Sequence, residues 1–162
     1  METNKFTPKH QRYDYLTHSF DFNYDPKSTC PSWLNFLDET FQKDQQVINI
    51  LRAAFKHTVL PKDSSQPFEL ECFFDLYGEK GCGKGTIQEV LTAVCGGDKA
   101  RGLLRSTNIH NAEARASLLG KKLAIDPDAS GLMTDAGIFN SIVSNEPVPI
   151  KILYHLSLNL EI

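Results

Sequence analysis

The chain has 162 residues, of which 41 % are hydrophobic and 23 % charged. That is the balance of a folded globular domain, and it excludes a disordered, fibrous or membrane-embedded class. A net charge of −3 and a pI near 5.9 exclude a general electrostatic pull toward nucleic acid, so such a contact would need a local patch or a partner subunit. Cys30, Cys72, Cys82 and Cys95 are far apart with no Cys-x-x-Cys pair. This is a poor zinc or disulfide pattern, and it reads as reduced thiols. The first fifteen residues, "METNKFTPKHQRYDY", have no apolar stretch of the secretory kind, and no apolar run approaches the roughly 18 residues of a membrane span. The expectation is a cytoplasmic protein of one domain with a small leader.

Taken in chain order, the first 30 residues are polar and aromatic. Tyr13, Tyr15, Phe20, Phe22 and Tyr24 nearly alternate, the spacing of one or two short strands or of an extended leader. Asp25-Pro26 predicts a turn. Pro31 suits the first position of a helix, and Trp33, Phe36, Leu37, Thr40 and Phe41 recur at helical steps. A second helix follows Lys43-Asp44, with Val47, Ile48, Ile50, Leu51, Ala54 and Phe55 on its apolar face. Residues 61–69 predict a loop. Residues 70–77, "LECFFDLY", predict a buried strand. Ile87, Val90, Leu91 and Val94 then step along a helix that ends at Gly96-Gly97. Residues 111–119 predict an alanine-rich helix, and 121–126 a strand. Residues 134–143 predict a helix with Thr134 as its N-cap. The last stretch, 150–162, alternates well enough to be a strand. Strand, glycine loop, helix and strand is the order of an α/β sheet. The division drawn is a leader and helical segment over 1–67, and a nucleotide-binding core over 68–162.

The glycine cluster is the chemical centre. Gly78-Glu79-Lys80-Gly81-Cys82-Gly83-Lys84 fits the phosphate loop G-x-x-x-x-G-K. A polyphosphate needs several backbone N–H groups aimed at one point, and glycine lets the chain curl that tightly. A following helix points its positive end at the same oxygens, and a lysine adds a full charge. These residues, with Gly85 and Thr86, are the predicted ATP contacts, and Lys84 is the predicted catalytic cation. The usual Ser or Thr directly after the lysine binds Mg²⁺. Here Gly85 stands there and Thr86 comes next.

Such sites also need a carboxylate at a nearby strand end. "KKLAIDPDAS" offers Asp126 and Asp128. Strand pattern favours Asp126, which directly follows Leu123-Ala124-Ile125, but Asp-Pro-Asp is equally ordinary turn chemistry. Pattern alone leaves both readings open.

Four stretches together resemble the superfamily-three helicase region of phage and plasmid primase-helicases. Residues 6–39 resemble the lead-in, in which an Asp-Pro turn precedes Cys-Pro and a Phe-Leu helix. Residues 76–86, "LYGEKGCGKGT", resemble the Walker A loop. Residues 118–129, "LLGKKLAIDPDA", resemble the Walker B strand, and 138–154 the segment after it. The resemblance implies a P-loop ATPase core with an incomplete central sheet, preceded by a small helical segment. It implies ATP and Mg²⁺ as cofactors, with Asp128 as the acid, Asp126 as second choice, and Thr86 with Asp128 at the metal. It also implies a homo-oligomeric ring translocating on single-stranded DNA. The family's sensor asparagine and arginine finger find no counterpart before Ile162, so the expectation is a truncated, ATP-binding member. Two rival readings are a small nucleotide kinase, whose loop also carries glycine after the lysine, and a non-catalytic partner subunit of a helicase ring.

Lys99, Arg101 and Arg105 read as a solvated basic face, and Arg115 as a surface residue. His18, His57 and His110 read as structural, and Trp33 with Phe36 as core.

Overall fold

Pro31 sets the start of the first helix. In the computed structural model, which describes residues 22–23, 25–59, 71–129 and 134–152 and the backbone of 158–160, helix α1 spans Pro31–Thr40 with proline in its first turn. The turn before it forms around Asp25, whose side chain accepts from the Lys27 amide at 2.9 Å and whose carbonyl accepts from Ser28 at 3.1 Å. After α1 the chain reverses through Gln42 and Lys43, both at positive φ, and the Lys43 amide bonds back to the Asp38 carbonyl at 2.9 Å. The Asp44 carboxylate then accepts from the Gln46 and Val47 amides, capping α2, Gln45–Val59. Trp33 stacks on Phe36 and meets Phe55 across the hairpin, while Leu37, Ile48 and Ala54 are buried.

Helix α3, Lys84–Cys95, lies between two glycines in the left-handed region, Gly83 and Gly96. A 3₁₀ turn over Gly97–Ala100 leads into β1, Arg101–Leu103. A further 3₁₀ turn, Ser106–Asn108, precedes α4, Ala112–Arg115. Strand β2, Leu123–Ile125, runs parallel to β1, with Arg101 opposite Leu123 and Leu103 opposite Ile125. Helix α5, Ala136–Val143, is followed by β3, Val148–Ile150, which pairs antiparallel with β4, Leu158–Leu160.

Among the described residues, two buried clusters pack the stretch from α3 to α5. Cys95 and Ala100 pack with Leu123 and Ile125, joined by Leu91 of α3 and Val59 of α2. Leu104, Ile109 and Leu118 form the other, covered by Ala114 and by Ile138, Phe139 and Ile142 of α5. Each buried aliphatic side chain contributes about 1.5–3 kcal/mol relative to exposure.

Several expectations need correction. Residues 71–77 form no strand. Phe73 and Phe74 are exposed, and Tyr77 is 98 % exposed. Strand propensity counts only where a neighbour supplies a ladder, and β2 pairs with β1 instead. The aromatics find ring partners individually, Phe73 on Phe139 and Phe74 on His57. Strand β1 arises in a stretch read only for its basic residues, where Arg101 pairs with Asp98 at 2.6 Å. The cap of α5 is Asp135, which accepts from the Ile138 amide. Thr134 instead donates toward the carbonyls of Ser106 and Thr107. The alanine-rich helix is shorter than expected, with Asn111 as N-cap and a 3₁₀ turn over Ala116–Leu118. Arg115 is 2 % exposed rather than on the surface, and Glu113 pairs with Lys151. Residues 1–21, His18 among them, and the loop over 61–69 lie outside the described residues, as does the 67/68 boundary.

Candidate functional site

Three of the glycines of the predicted phosphate loop stand where another residue would be strained or obstructed. Gly81 and Gly83 have φ of 85° and 91°, values that other residues adopt only with strain. A Cβ on Gly78 would lie 2.7 Å from the Cys82 sulfur. The Cys82 amide bonds the Glu79 carbonyl at 3.3 Å, tightening the turn.

Lys84 closes the loop. Its Nζ donates to the carbonyls of Gly78 at 2.6 Å and Glu79 at 2.7 Å, and lies 3.5 Å from Cys82 Sγ. The side chain that opens α3 thus reaches back to the first residues of the motif. The first bond of the α3 ladder runs from the Ile87 amide to the Gly83 carbonyl. The amides of Lys84, Gly85 and Thr86 therefore precede it, and no side chain caps them. Gly85 and Thr86 are exposed. Uncapped amides at a helix start that carries a lysine ammonium and no acid in its first turn give this end of α3 a positive electrostatic character.

Asp126 directly follows β2, and both its oxygens are engaged. Oδ2 accepts the Ser106 amide at 2.8 Å, and Oδ1 accepts the Asp128 amide at 3.2 Å. Burial pushes its carboxyl up, but the bonds from Ser106 and Asp128 and the charge of Arg105 outweigh this and hold it below the ordinary value. Asp128 itself is exposed. The two acids thus differ: Asp126 ties the turn to the segment leaving β1, and Asp128 is presented by that turn.

The structure gathers Gly78, Glu79, Cys82 and Lys84 around one ammonium, and Asp126 with Asp128 in one turn. Among the described residues, no hydrogen bond or ion pair joins the two groups. The packing between α3 and β2 is made by Leu91 and Cys95, in the half of the helix away from the loop. A groove of about 390 Å³ lined by Glu89, Thr92, Ala93, Gly97, Asp98 and Arg101 includes none of the predicted site residues. Sequence reasoning did not find Ser106, because its contribution is a backbone amide twenty residues from Asp126. Nor did it place Phe36, which packs on Gly83.

No cluster of three or more His, Cys, Asp or Glu able to hold a metal exists among the described residues. Thr86 and Asp128, the residues expected at Mg²⁺, are both exposed, and no contact between them is among the bonds of the described residues. No helix among the described residues is long and apolar enough to cross a membrane.

Comparison with known proteins gives a family match over part of the chain. No curated protein and no solved structure matches the chain. Residues 1–42, a stretch that ends just beyond α1, match the family described as D5 N terminal like, and this supports a relationship with the phage and plasmid primase-helicases.

Proposed function

We propose that the chain binds ATP with Mg²⁺ at residues 78–86, as the nucleotide-binding part of a replication ATPase of the superfamily-three helicase kind. The observation that carries this reading is the closure of the loop by Lys84 onto the Gly78 and Glu79 carbonyls, beside three uncapped amides. A triphosphate would exchange those carbonyls for its own oxygens at the lysine, and would take the amides of Lys84, Gly85 and Thr86 as donors. Thr86 and Asp128 would hold the metal, which neutralises charge on the phosphates. Asp126 would keep the acidic turn in shape. Hydrolysis coupled to movement on single-stranded DNA, in a ring of identical subunits, is the wider activity proposed.

The test is binding of a fluorescent ATP analogue to wild type and to Lys84→Ala, with ATP turnover measured with and without single-stranded DNA. Loss of one charge-assisted contact should weaken binding roughly ten- to a hundredfold. Equal affinity of both proteins for the analogue would overturn the assignment.

A further inference from the structure

Helix α1 touches the phosphate loop at the residue on which the loop's shape turns. A Cβ on Gly83 would lie 2.9 Å from Phe36 Cζ, 3.2 Å from Cε2 and 3.6 Å from Thr40 Cγ2. The Phe36 ring therefore lies directly against the Gly83 backbone. Gly83 stands at φ 91° as the N-cap of α3, and its carbonyl accepts the first bond of the helix. A rotation at this residue would swing the amides of Lys84, Gly85 and Thr86 together.

Phe36 is itself held in place. Trp33 stacks on it with centroids 5.3 Å apart and planes at 21°. Trp33 in turn meets Phe55 of α2 at 5.8 Å, and Leu37, the next residue of α1, is 2 % exposed. The ring is thus a wedge backed by two further aromatics and a buried anchor. The three rings are half-buried, and their mutual contacts limit how far Phe36 can move from Gly83.

We propose that Phe36 is a positioning residue for the phosphate loop, holding Gly83 and so the three amides and Lys84 in register, and that the state of the loop is read out along Phe36 to Trp33. The proposal rests on the nucleotide reading of residues 78–86. It makes the helical segment a wall of the site rather than an appendage. It also gives a role to α1, the helix within the stretch that matches the family model.

Trp33 is the sole tryptophan, so its emission reports this path. Titration of the wild-type chain with Mg²⁺-ATP should change Trp33 fluorescence with the same midpoint as binding measured by equilibrium dialysis. Phe36→Ala should weaken binding about ten- to a hundredfold, the loss that misplacing fixed groups by an ångström brings, and should abolish the Trp33 response. Phe36→Leu should restore most of the affinity. Ile142→Ala, a truncation against the core of Leu104, Ile109 and Leu118, should lower stability without changing affinity. Phe36→Ala binding as tightly as wild type, or a silent Trp33 in a chain that binds ATP, would overturn the proposal.

If dialysis finds no binding by the wild-type chain, the nucleotide reading fails, and a double-mutant cycle in urea then decides the contact. Gly83→Ala should cost clearly less stability in the Phe36→Ala background than in wild type, because the collision with the ring is gone and only backbone strain remains. Additive effects would show that Phe36 does not constrain Gly83.

Discussion

The Ser106 amide donates to the Asp126 carboxylate at 2.8 Å, joining the segment after β1 to the end of β2. The other carboxylate oxygen takes the Asp128 amide. Against the cost of burial, these bonds and the Arg105 charge leave the folded-state carboxyl more acidic than in an unfolded chain. Folding therefore favours its ionised form. The stabilisation is complete above the ordinary carboxylate range, near pH 4, and is lost as pH falls through the lower, folded value. Asp126→Asn should be less stable than wild type at pH 7 in urea unfolding, and the gap should close toward pH 3. A gap of constant size across that range would show that the charge on Asp126 contributes nothing.

The position after Lys84 offers a gain-of-function test. Nothing lies within 4 Å of a Cβ built on Gly85, and its φ is outside the left-handed region. Serine fits there sterically and places a hydroxyl where the common phosphate-loop pattern has one. Gly85→Ser should keep or slightly raise stability, since glycine within a helix costs about 0.5–1 kcal/mol. It should also strengthen the Mg²⁺-dependent part of ATP-analogue binding several-fold, by about 1 kcal/mol for an added oxygen ligand or hydrogen bond. Asp128→Asn should weaken that Mg²⁺-dependent part alone. The measurement is analogue affinity with Mg²⁺ and with chelator. A Gly85→Ser protein that loses affinity in both would argue against metal at this end of α3.

Local features were legible in the sequence, and long-range pairings were not. Pro31, the apolar spacing of α2 and Gly96 after α3 marked their helices, because each signal acts within a turn or two of the chain. The glycines at 81 and 83 likewise announced a curled backbone, and Lys84 does return to it. Strand β1 was not legible. Arg101–Leu103 is three residues long, too short for alternation to register, and it is a strand only because β2 lies beside it. Residues 71–77 failed in the opposite sense, carrying strand-forming aromatics without a ladder. Distinguishing Asp126 from Asp128 needed the Ser106 amide, which no residue type can signal. Arg115 was misread because an arginine in an isolated helix defaults to water, and only the fold brings carbonyls to it.

Those carbonyls give a stability prediction of a different character. Arg115 Nη1 bonds the Ile109 carbonyl at 2.7 Å, and Nε and Nη2 bond the Pro149 carbonyl at 2.8 and 2.5 Å. The side chain staples α4 to the turn at Ile109 that precedes it and to β3, beside the bond from the Lys151 amide to the Ala112 carbonyl. Burial lowers the guanidinium's pKa, with Asp135 opposing, and an arginine so shifted still stays charged at neutral pH. Arg115→Met should therefore destabilise by about 1–3 kcal/mol for each carbonyl left unsatisfied, with no change in the deficit between pH 5 and 8. Arg115→Lys should not rescue it, since one ammonium cannot reproduce the planar fork. Urea unfolding of the three proteins decides this, and a Met variant as stable as wild type would mean that packing alone holds β3.

Gly102 makes the most local prediction. It is buried in the middle of β1, opposite Ala124. A Cβ there would lie 2.7 Å from the Ser117 carbonyl oxygen and 2.8 Å from Leu118 Cδ2, with the Leu118 Cα at 3.2 Å. Its φ is ordinary, so the requirement for glycine is space rather than backbone conformation. Two of the three obstacles are backbone, and Leu118 is 1 % exposed in a filled core, so neither side can yield cheaply. The Ser117 hydroxyl also bonds the Leu103 carbonyl at 2.8 Å, which fixes the crossing at one spacing. Gly102→Ala should cost about 1–3 kcal/mol, the usual penalty of overpacking, although alanine is the better residue in an unconstrained chain. Gly102→Ala combined with Leu118→Val should recover only part of that loss, because the collision with the Ser117 oxygen remains. A single Gly102→Ala variant matching wild type in its urea midpoint would show that β1 and the turn over Ala116–Leu118 do not approach this closely in solution.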